Sequence, residues 1–327
     1  MAEKKSSNSN AGPKKRRSKL SKEIIVALIG AIATILAALL AVLLPPLLSQ
    51  FQKGSTASPS TETPSIAPTA EPSVAAVLTT TPAPTIFNPH PVPEDQPDNK
   101  GVPMRLVPEG DFMMGSENGN DDEKPVKEVY LKDFYIDKYE VTNVLYKACV
   151  NEHRCQPLTE TKSTNVSRYY GSSDFDNYPV VYVDWNMATT YCKWRGARLP
   201  TEAEWEKAAR GTDGRIYPWG NVIACFNANY GGCGIGHTTS VGISSTESPY
   251  GVYDMAGNVW EWVSSGYRPY PYDPQDGRED SNATIPRVIR GGSWGNDKHN
   301  IRSANRNYGI QTNRSALIGF RCAKDAP

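Results

Sequence analysis

Two carboxylates between Tyr250 and Trp262 have the types and the spacing of a cation site. Asp254 and Glu261 are seven residues apart, and Gly257 and Asn258 lie between them. A curved backbone there aims both carboxylates and the intervening carbonyl groups at one point, and hard cations such as calcium bind sets of oxygen ligands. The alternative is structural: the two tryptophans of the stretch pack in a core, and the acids cap a turn.

The first segments of the chain have the composition of a membrane anchor. Residues 1–23 contain eight Lys or Arg and two Glu, and residues 24–44 carry no charge and are mostly Ile, Leu, Val and Ala. As a helix, such a run crosses a bilayer core of about 30 Å. Because basic flanks stay on the cytoplasmic side, we predict a cytoplasmic tail over 1–23, a transmembrane helix over 24–48 and an extracytoplasmic remainder.

Two other interpretations of these segments are weaker. A cleaved signal peptide has an apolar part of roughly 7–15 residues and a small-x-small cleavage site, whereas this run is longer and no clear site follows it. A basic run can also bind nucleic acid, but directly before an apolar segment it favours membrane topology. We therefore predict a single-pass membrane protein without a nucleic-acid partner.

Composition divides the rest of the chain into a stalk and one folded domain. Residues 49–100 are rich in Ser, Thr, Pro and Ala and have hardly any large apolar side chains. They cannot bury a core and are predicted to form an extended stalk, with a binding tail as the alternative. All tryptophans, tyrosines and cysteines follow Gly101, so residues 101–327 are predicted to form the domain.

Local signals predict three helices that position the domain's loops. Thr142 and Asp184 have the residue types of helix N-caps, and Thr201 with Glu204 has the capping-box pattern, with Gly211 as the stop. Helical spacing predicts that the first two helices bury Leu145, Ala148 and Cys149, and Trp185, Ala188 and Cys192. Short strands are predicted around 112–115 and 129–136, and the remainder reads as irregular loops.

The six cysteines predict a disulfide framework because they lie in the extracytoplasmic part. Sequence alone allows fifteen pairings. Spacing favours two short loops, Cys149–Cys155 and Cys225–Cys233, which leaves Cys192–Cys322. That third bridge closes a loop of over a hundred residues, worth about 4–5 kcal/mol in the chain-entropy model. Redox and zinc sites are disfavoured because there is no C-x-x-C motif.

A series of motifs in the domain resembles the formylglycine-generating enzyme, or sulfatase-modifying factor, family, and the match spans nearly all of residues 102–326. The motifs are Phe112-Met-Met-Gly115, Phe134-Tyr-Ile-Asp-Lys-Tyr-Glu-Val-Thr142, Pro179-Val-Val-Tyr-Val-Asp-Trp185, Arg198-Leu-Pro-Thr-Glu-Ala-Glu-Trp205, Pro218-Trp-Gly220, Gly257-Asn-Val-Trp-Glu-Trp262, Arg290-Gly-Gly-Ser-Trp294 and Gly319-Phe-Arg-Cys322. The resemblance implies the family's α+β fold, which is C-type-lectin-like, has little regular secondary structure and is stabilised by disulfides. The family's long-range disulfide corresponds to Cys192–Cys322.

The resemblance also implies a catalytic difference. Family enzymes oxidise a substrate cysteine to formylglycine with a copper ion held by two cysteines that follow the Gly-Gly-Ser motif. Here the position that resembles the first ligand is Asn296, and the segment that would bring the second is shortened, with Asn300 or Ile301 nearby. Cu(I) selects thiolates, whereas an amide oxygen suits hard cations. We therefore expect no copper and no formylglycine production by the copper route.

Calcium sites of the family map onto two parts of the sequence. One is expected at the Asp254 and Glu261 carboxylates and the carbonyl groups of Gly257 and Val259, so that the opening stretch holds a structural calcium rather than an acid and a base. A second is expected at Asn229 and the Tyr230 carbonyl, although no clear counterpart of the family's downstream aspartate is present. The Cys225–Cys233 bridge is the alternative means of fixing that loop.

Together these features predict a membrane-tethered, extracytoplasmic module that is stabilised by calcium and binds a peptide, a protein or an acidic ligand. The alternative is an enzyme of the same superfamily that acts on a protein or peptide with a different metal or mechanism. Cleft candidates are Ser293, Trp294, Asn296, His299 and Arg302. Arginines that are candidates for an acidic ligand are Arg287, Arg290, Arg302, Arg306, Arg314 and Arg321.

Overall fold

Short strands and turns make up most of the domain because glycine, proline and asparagine interrupt its sequence every few residues. The computed structural model describes residues 95–233, 236–244 and 246–327. All of them belong to the second of two units, Ala83–Pro327. That unit has its own hydrophobic cores and three disulfides, which are the requirements of an independently folding domain.

The first sheet joins the two ends of the domain. It contains β1 (Gln96–Pro97), β2 (Pro103–Val107), β5 (Phe134–Asp137) and β10 (Ala323–Asp325) in the antiparallel order β1-β2-β5-β10. Residues 95–100, assigned to the stalk by composition, are thus part of the folded domain through β1.

A separate hairpin precedes β5. Strands β3 (Gly110–Met114) and β4 (Lys127–Leu131) pair antiparallel, which confirms the strand expected at 112–115. The single strand expected over 129–136 is wrong: the chain leaves β4 at Leu131 and enters β5 at Phe134. The two residues between them, Lys132 and Asp133, are exposed and carry the chain from one sheet to the other.

The third sheet begins directly after the 254–261 loop. Its strands are β6 (Trp260–Gly266), β7 (Arg287–Arg290), β8 (Arg306–Gly309) and β9 (Ile318–Phe320), in the order β8-β7-β6-β9. β6 pairs antiparallel with β7 and parallel with β9, so it is an inner strand of the sheet. The stretch that starts at Tyr250 therefore runs directly into the interior of the domain.

The first helix forms where expected but buries only part of the predicted face. Helix α1 (Asn143–Asn151) begins after Thr142, whose hydroxyl makes no capping hydrogen bond. Its buried residues are Asn143, Tyr146 and Cys149, whereas Ala148 is exposed and Leu145 is only partly buried. The predicted face is confirmed at Cys149 and at Leu145, which packs against the same cluster, and wrong at Ala148. The polar Asn143 is buried as well, and its side-chain amide donates to the Phe175 carbonyl.

The other two helices form as predicted. Helix α2 (Trp185–Trp194) is capped by the Asp184 side chain, which accepts a hydrogen bond from the Met187 N–H at 3.0 Å. Its predicted face of Trp185, Ala188 and Cys192 is buried. Helix α3 (Glu202–Arg210) has a complete capping box. Gly211 ends it with a φ of 69°, a conformation that glycine adopts at low cost.

All three predicted disulfides are present: Cys149–Cys155, Cys192–Cys322 and Cys225–Cys233. The long-range bridge lies in the largest hydrophobic cluster together with Trp185, Trp262 and Phe320. It ties α2 to the segment that follows β9, so the C-terminus is fixed to the main core.

Within the described residues, no helix has the length and apolar character needed to cross a bilayer. The predicted tail, span and most of the stalk, residues 1–94, lie outside those residues.

The capping box of α3 yields a first prediction. Thr201→Ala removes the hydroxyl that accepts the Glu204 N–H at 3.2 Å, so the free energy of unfolding should fall by about 1 kcal/mol. Urea denaturation of the domain measures this change. Thr190→Ala is the matched control, since Thr190 is exposed on α2 and bonds only within its own helix; an equal loss in both variants would refute the capping role.

Candidate functional site

The loop from Asp254 to Glu261 is held in a conformation that few sequences adopt. Asp254 and Asn258 have positive φ angles of 57° and 59°, a region that non-glycine residues rarely occupy. A side chain at Gly257 would place its Cβ 2.3 Å from the Asn229 carbonyl oxygen. Backbone strain of this kind is retained at ligand clamps and active sites, so the loop geometry is consistent with a binding role.

The Glu261 carboxylate is fully buried and carries three hydrogen bonds. Arg321 donates to both oxygens, Nε to Oε2 and Nη2 to Oε1, each at 2.7 Å. The Trp205 indole donates to Oε2 at 2.8 Å. Because a carboxylate accepts about four hydrogen bonds, Oε1 retains an acceptor position.

Asp254 lies at the partly exposed end of the same loop. Its Oδ2 accepts the Gly242 N–H at 2.6 Å. No hydrogen bond from the described residues reaches its Oδ1. Both predicted carboxylate ligands therefore keep an oxygen with capacity for a cation.

A third carboxylate, Glu140, belongs to this neighbourhood and was missed by the sequence analysis. It is buried, and it accepts bonds from the Asn258 side chain at 2.5 Å and the Val259 N–H at 3.3 Å. Glu140 lies in the motif that ends at Thr142, so an acid within a family motif was the available signal. Its distance of over a hundred residues from Asp254 concealed the contact.

Negative charge is incompletely balanced around this loop. Burial raises the pKa of Asp254 to about 6, and the nearby Glu261 adds to that rise. Burial also raises the pKa of Glu140 well above its usual range, and the charges of Asp254 and Glu261 add to this rise. The Arg321 charge and the hydrogen bond from Asn258 lower the pKa but do not outweigh the rise. Three carboxylates face one guanidinium, so a divalent cation would balance the charge.

The donor set fits calcium only in part. Within the described parts of the chain, no three His, Cys, Asp or Glu side chains converge as a ready-made chelating cluster. A calcium ion would therefore rest on the Asp254 and Glu261 carboxylates together with backbone carbonyl groups such as those of Gly257 and Val259. Glu261 would share its charge between the ion and Arg321.

The second expected calcium position has one suitable oxygen. Asn229 Oδ1 is buried without a hydrogen-bond partner, and its amide nitrogen donates to the His237 carbonyl at 2.9 Å. The Tyr230 carbonyl accepts the Cys233 N–H at 3.2 Å. An unpartnered oxygen is compatible with a cation or a water molecule. Neither Asn229 nor Tyr230 supplies a carboxylate.

The position that resembles the first copper ligand is occupied by Asn296, whose side-chain amide is held by two hydrogen bonds. Asn296 Oδ1 accepts the Trp260 indole N–H at 2.8 Å and the Ser293 hydroxyl at 2.5 Å. Its backbone carbonyl accepts the Gly231 N–H at 2.6 Å, and a Cβ at Gly231 would lie only 2.9 Å from that oxygen. The structure thus brings together Ser293, Asn296 and Trp260 in one hydrogen-bonded group.

Near the expected second copper position, one of the two candidate residues is part of a hydrophobic cluster. Ile301 is fully buried and packs with Tyr217, Ala228 and Ala256. Its neighbour Asn300 bonds to the Asp297 side chain at 3.0 Å. All six cysteines of the chain are paired in disulfides, which leaves no thiol to replace the missing ligands.

The remaining cleft candidates do not converge with Ser293 and Asn296. The His299 side chain is exposed, and no bond to it is found within the described residues. The Trp294 indole lies 3.4 Å from the Ala316 carbonyl. Arg302 forms a bidentate pair with the buried Glu123, at 2.7 and 2.6 Å, so it anchors the loop rather than facing a ligand.

The same correction applies to the other arginines that were expected to attract an acidic ligand. Each of them uses its guanidinium inside the domain: Arg287 on the carbonyls of Ser264, Asp280, Ser281 and Ala283, Arg290 on Glu206, Arg306 on Glu202, Arg314 on Asp184 and Arg321 on Glu261. Sequence proximity suggested a cationic cluster, but the structure pairs these residues with carboxylates and carbonyl groups of the domain, and Arg290 and Arg306 share Glu202.

Few helices, three small sheets, a C-type-lectin-like loop-rich fold and three disulfides define a domain of the formylglycine-generating-enzyme type. The chain belongs to the sulfatase-modifying factor enzyme 1-like domain family, whose model matches residues 89–326. A match of this extent confirms the family inferred from the ordered motifs.

The chain is similar to proteins with different names, and it covers different shares of their lengths. The chain is 33% identical to the inactive C-alpha-formylglycine-generating enzyme 2 of Bos taurus, over 69% of this chain and 89% of that protein. It is 35% identical to the serine/threonine-protein kinase pkn1 of Chlamydia caviae, over 71% of this chain but only 39% of the kinase. Among solved structures, PvdO from Pseudomonas aeruginosa matches with a TM-score of 0.60 and 29% identity, over 70% of this chain and 96% of PvdO.

The Arg302–Glu123 pair yields a second prediction. Arg302→Met leaves a buried carboxylate unpaired, so the free energy of unfolding near neutral pH should fall by about 3 kcal/mol. Urea denaturation measures the loss. Arg154→Met, at an exposed position, should change stability by less than about 0.5 kcal/mol; equal stability of both variants would show that Arg302 is available for a ligand.

The pH dependence provides a further check of the same pair. Burial raises the pKa of Glu123, but the bonds from Arg302 and the Asn120 N–H outweigh this and hold the pKa below its ordinary value. The stabilisation is therefore present above that ordinary value and is lost as the pH falls through the lowered one. The difference between wild type and Arg302→Met should accordingly shrink in acid.

Proposed function

We propose that this protein is a membrane-tethered, extracytoplasmic binding module, stabilised by calcium, that does not carry out the copper-dependent oxidation of family enzymes. The observation that carries the proposal is the composition of the former copper site. The expected first position holds an amide bonded to Trp260 and Ser293, and the residues near the expected second position are an amide, Asn300, and a buried aliphatic side chain, Ile301. None of these groups ligates Cu(I).

Two further observations support the proposal. The Bos taurus relative that is 33% identical is named an inactive formylglycine-generating enzyme, so the fold occurs in a protein described as lacking that activity. Three disulfides within one domain favour an oxidising, extracytoplasmic compartment. Membrane attachment rests on the sequence of residues 1–48.

The calcium part of the proposal rests on the charge around the 254–261 loop. Asp254, Glu261 and Glu140 face one compensating cation, Arg321, and two of these carboxyls have a raised pKa. A bound divalent ion would supply the missing positive charge and stabilise the loop. The ion would have a structural role, since the cleft group of Ser293 and Asn296 bonds to Trp260 rather than to these carboxylates.

Removal of calcium should lower the melting temperature of the domain. We expect EDTA to reduce it by several degrees, because binding of an ion to the folded state alone stabilises that state. Differential scanning fluorimetry with EDTA, and after calcium is restored, measures the shift. Asp254→Ala should abolish the shift, whereas Asp174→Ala, at an exposed acid on a surface turn, should retain it.

The calcium effect should also depend on pH. Protons compete with calcium for a carboxyl whose pKa is about 6. The stabilisation by calcium should therefore be largest above that value and decrease below it. An unchanged melt with and without calcium at neutral pH would contradict the calcium proposal and leave the fold assignment unaffected.

Direct assay tests the proposed lack of copper chemistry. The purified domain, loaded with copper, is incubated with a Cys-x-Pro-x-Arg peptide, and mass spectrometry detects conversion of cysteine to formylglycine. We expect no turnover above a metal-free control, because no thiolate is available for Cu(I). Turnover, or stoichiometric copper or iron in the purified protein, would instead support an enzyme with different ligands.

A further inference from the structure

A surface cavity lies where the first two helices end. Its volume is about 500 Å³, within the range of about 300–1,000 Å³ that is usual for small-molecule sites. Helix α1 ends at Asn151 and helix α2 at Trp194, and the turn between β1 and β2 completes the wall. The lining residues are Lys100, Glu152, Arg154, Thr190, Lys193 and Trp194.

The cavity carries a net positive charge. Three of its six lining residues are cations, Lys100, Arg154 and Lys193, and Glu152 is the one acid among them. A concave surface with an excess of one sign of charge concentrates the electrostatic field and attracts ligands of the opposite sign. The balance of charges therefore favours an anion.

One of the three cations is already paired. Lys100 Nζ donates to both Glu152 oxygens, at 3.0 and 3.1 Å, and lies 4.3 Å from the centroid of the Trp194 ring. The Trp194 indole donates to Glu152 Oε2 at 2.8 Å. The bonds from Lys100 and Trp194 lower the pKa of Glu152, so its carboxylate stays ionised. Three lining side chains are thus fixed in one group.

The other two cations have no partner of this kind. Within the described residues, the side chains of Arg154 and Lys193 make no hydrogen bond and no ion pair. They differ in this from arginines such as Arg302 and Arg321, each of which pairs with a buried carboxylate of the domain. A carboxylate or phosphate group accepts strong hydrogen bonds from cations whose donors are free. Arg154 and Lys193 therefore supply the donors for an anionic group.

The turn that carries Arg154 is held in place. The Cys149–Cys155 disulfide closes the loop around it, and the Arg154 N–H donates to the Cys149 carbonyl at 3.1 Å. His153, directly before it, has a φ of 56°, a value that non-glycine residues rarely adopt. A turn that is fixed before binding loses less conformational entropy when a ligand arrives.

The cavity also offers hydrogen-bond acceptors. Glu152 Oε1 accepts one bond within the described residues, from Lys100, and a carboxylate oxygen accepts about two. The Thr190 hydroxyl donates to the Asn186 carbonyl at 2.8 Å, and its own oxygen keeps the capacity to accept. Hydroxyl groups of a ligand can donate to both. A ligand that uses the whole lining therefore carries an anionic group and hydroxyl groups.

We propose that this cavity binds a small hydroxylated anion, such as a sugar acid or a sugar phosphate. Its carboxylate or phosphate accepts from Arg154 and Lys193, and its hydroxyl groups donate to Glu152 and Thr190. This inference rests on the binding role proposed above and deepens it by naming a site and a class of ligand.

NMR titration of the isotopically labelled domain tests the proposal with glucuronate, glucose 6-phosphate and glucose. The indole N–H signal of Trp194, assigned by its loss in Trp194→Phe, reports on the cavity that this side chain lines. We expect an anionic probe to shift the signal with a dissociation constant of about 1 mM or lower, as is usual for ligands of this size, and glucose to leave it unchanged. A response to only one of the two anions supports the site and identifies its anionic group as carboxylate or phosphate.

A matched pair of variants separates this site from a general effect of charge. Arg154→Gln/Lys193→Gln removes both free cations, and the affinity for the anion should fall at least about tenfold because charge-assisted hydrogen bonds are lost. The control Arg168→Gln/Lys132→Gln removes the same two residue types from exposed positions outside the cavity and should bind as the wild type does. All four residues are exposed, so both variants should melt as the wild type does.

Several outcomes would overturn the site. They are equal affinity of the wild type and Arg154→Gln/Lys193→Gln, an equal loss in the control pair, an equal response to glucose, or no response to either anion at about 10 mM, tenfold above the expected dissociation constant. Each of these results concerns the cavity alone and leaves the proposed function in place. Turnover in the copper assay would instead overturn the proposed function, whatever the cavity binds.

Discussion

The buried ion pair between Glu261 and Arg321 is the contact on which the rest of the domain depends. Arg321 holds both oxygens of Glu261 and also donates to the carbonyls of Asp137 and Tyr253, at 3.1 and 2.9 Å. Glu261 in turn accepts the indole of Trp205 on α3. One contact therefore connects an inner strand, the segment after β9, the end of β5 and a helix. Loss of either partner from such a buried pair costs about 3–5 kcal/mol.

Buried arginines also donate hydrogen bonds to backbone carbonyl groups in the irregular segments of this fold. Regular strands and helices satisfy their own backbone, but long turns do not. Arg287 illustrates the solution, since its buried guanidinium donates to four carbonyl groups and lies 4.2 Å from the Trp185 ring. Arginine provides five donors in a fixed geometry, so one side chain can replace several backbone hydrogen bonds.

Local features of this protein were readable from the sequence, whereas long-range partners were not. The Thr201–Glu204 capping box depends on residues three positions apart, and the helix follows as predicted. The pairing of Glu140 with the 254–261 loop depends on the path of the whole chain, and no periodic pattern reveals it. On α1, helical spacing placed Ala148 on the buried face and did not reveal that a distant carbonyl group buries the polar Asn143.

In the candidate site, too, the sequence predicted which residues belong to local motifs but not their long-range partners. Family motifs located Asp254, Glu261 and Asn296, and the disulfide pairings followed from spacing. The role of Arg302 and its neighbours was misread, because a run of cations in sequence does not reveal the carboxylates that each will meet. Buried charge pairs form between distant elements, so their partners appear only when the fold is known.

The way in which the chain enters the domain has a mechanical consequence. Strand β1 forms only two residue pairs with β2, and the half-exposed Asp95 before it pairs with Arg105 and Lys138. These contacts offer little resistance to tension from the preceding residues. The next contact along the chain is the ion pair of Asp98 with Arg195, whose side chains are 2% and 0% exposed. Arg195 also forms an ion pair with Asp137 on β5. A pull on the chain would therefore be transferred at Asp98 to the interior of the first sheet.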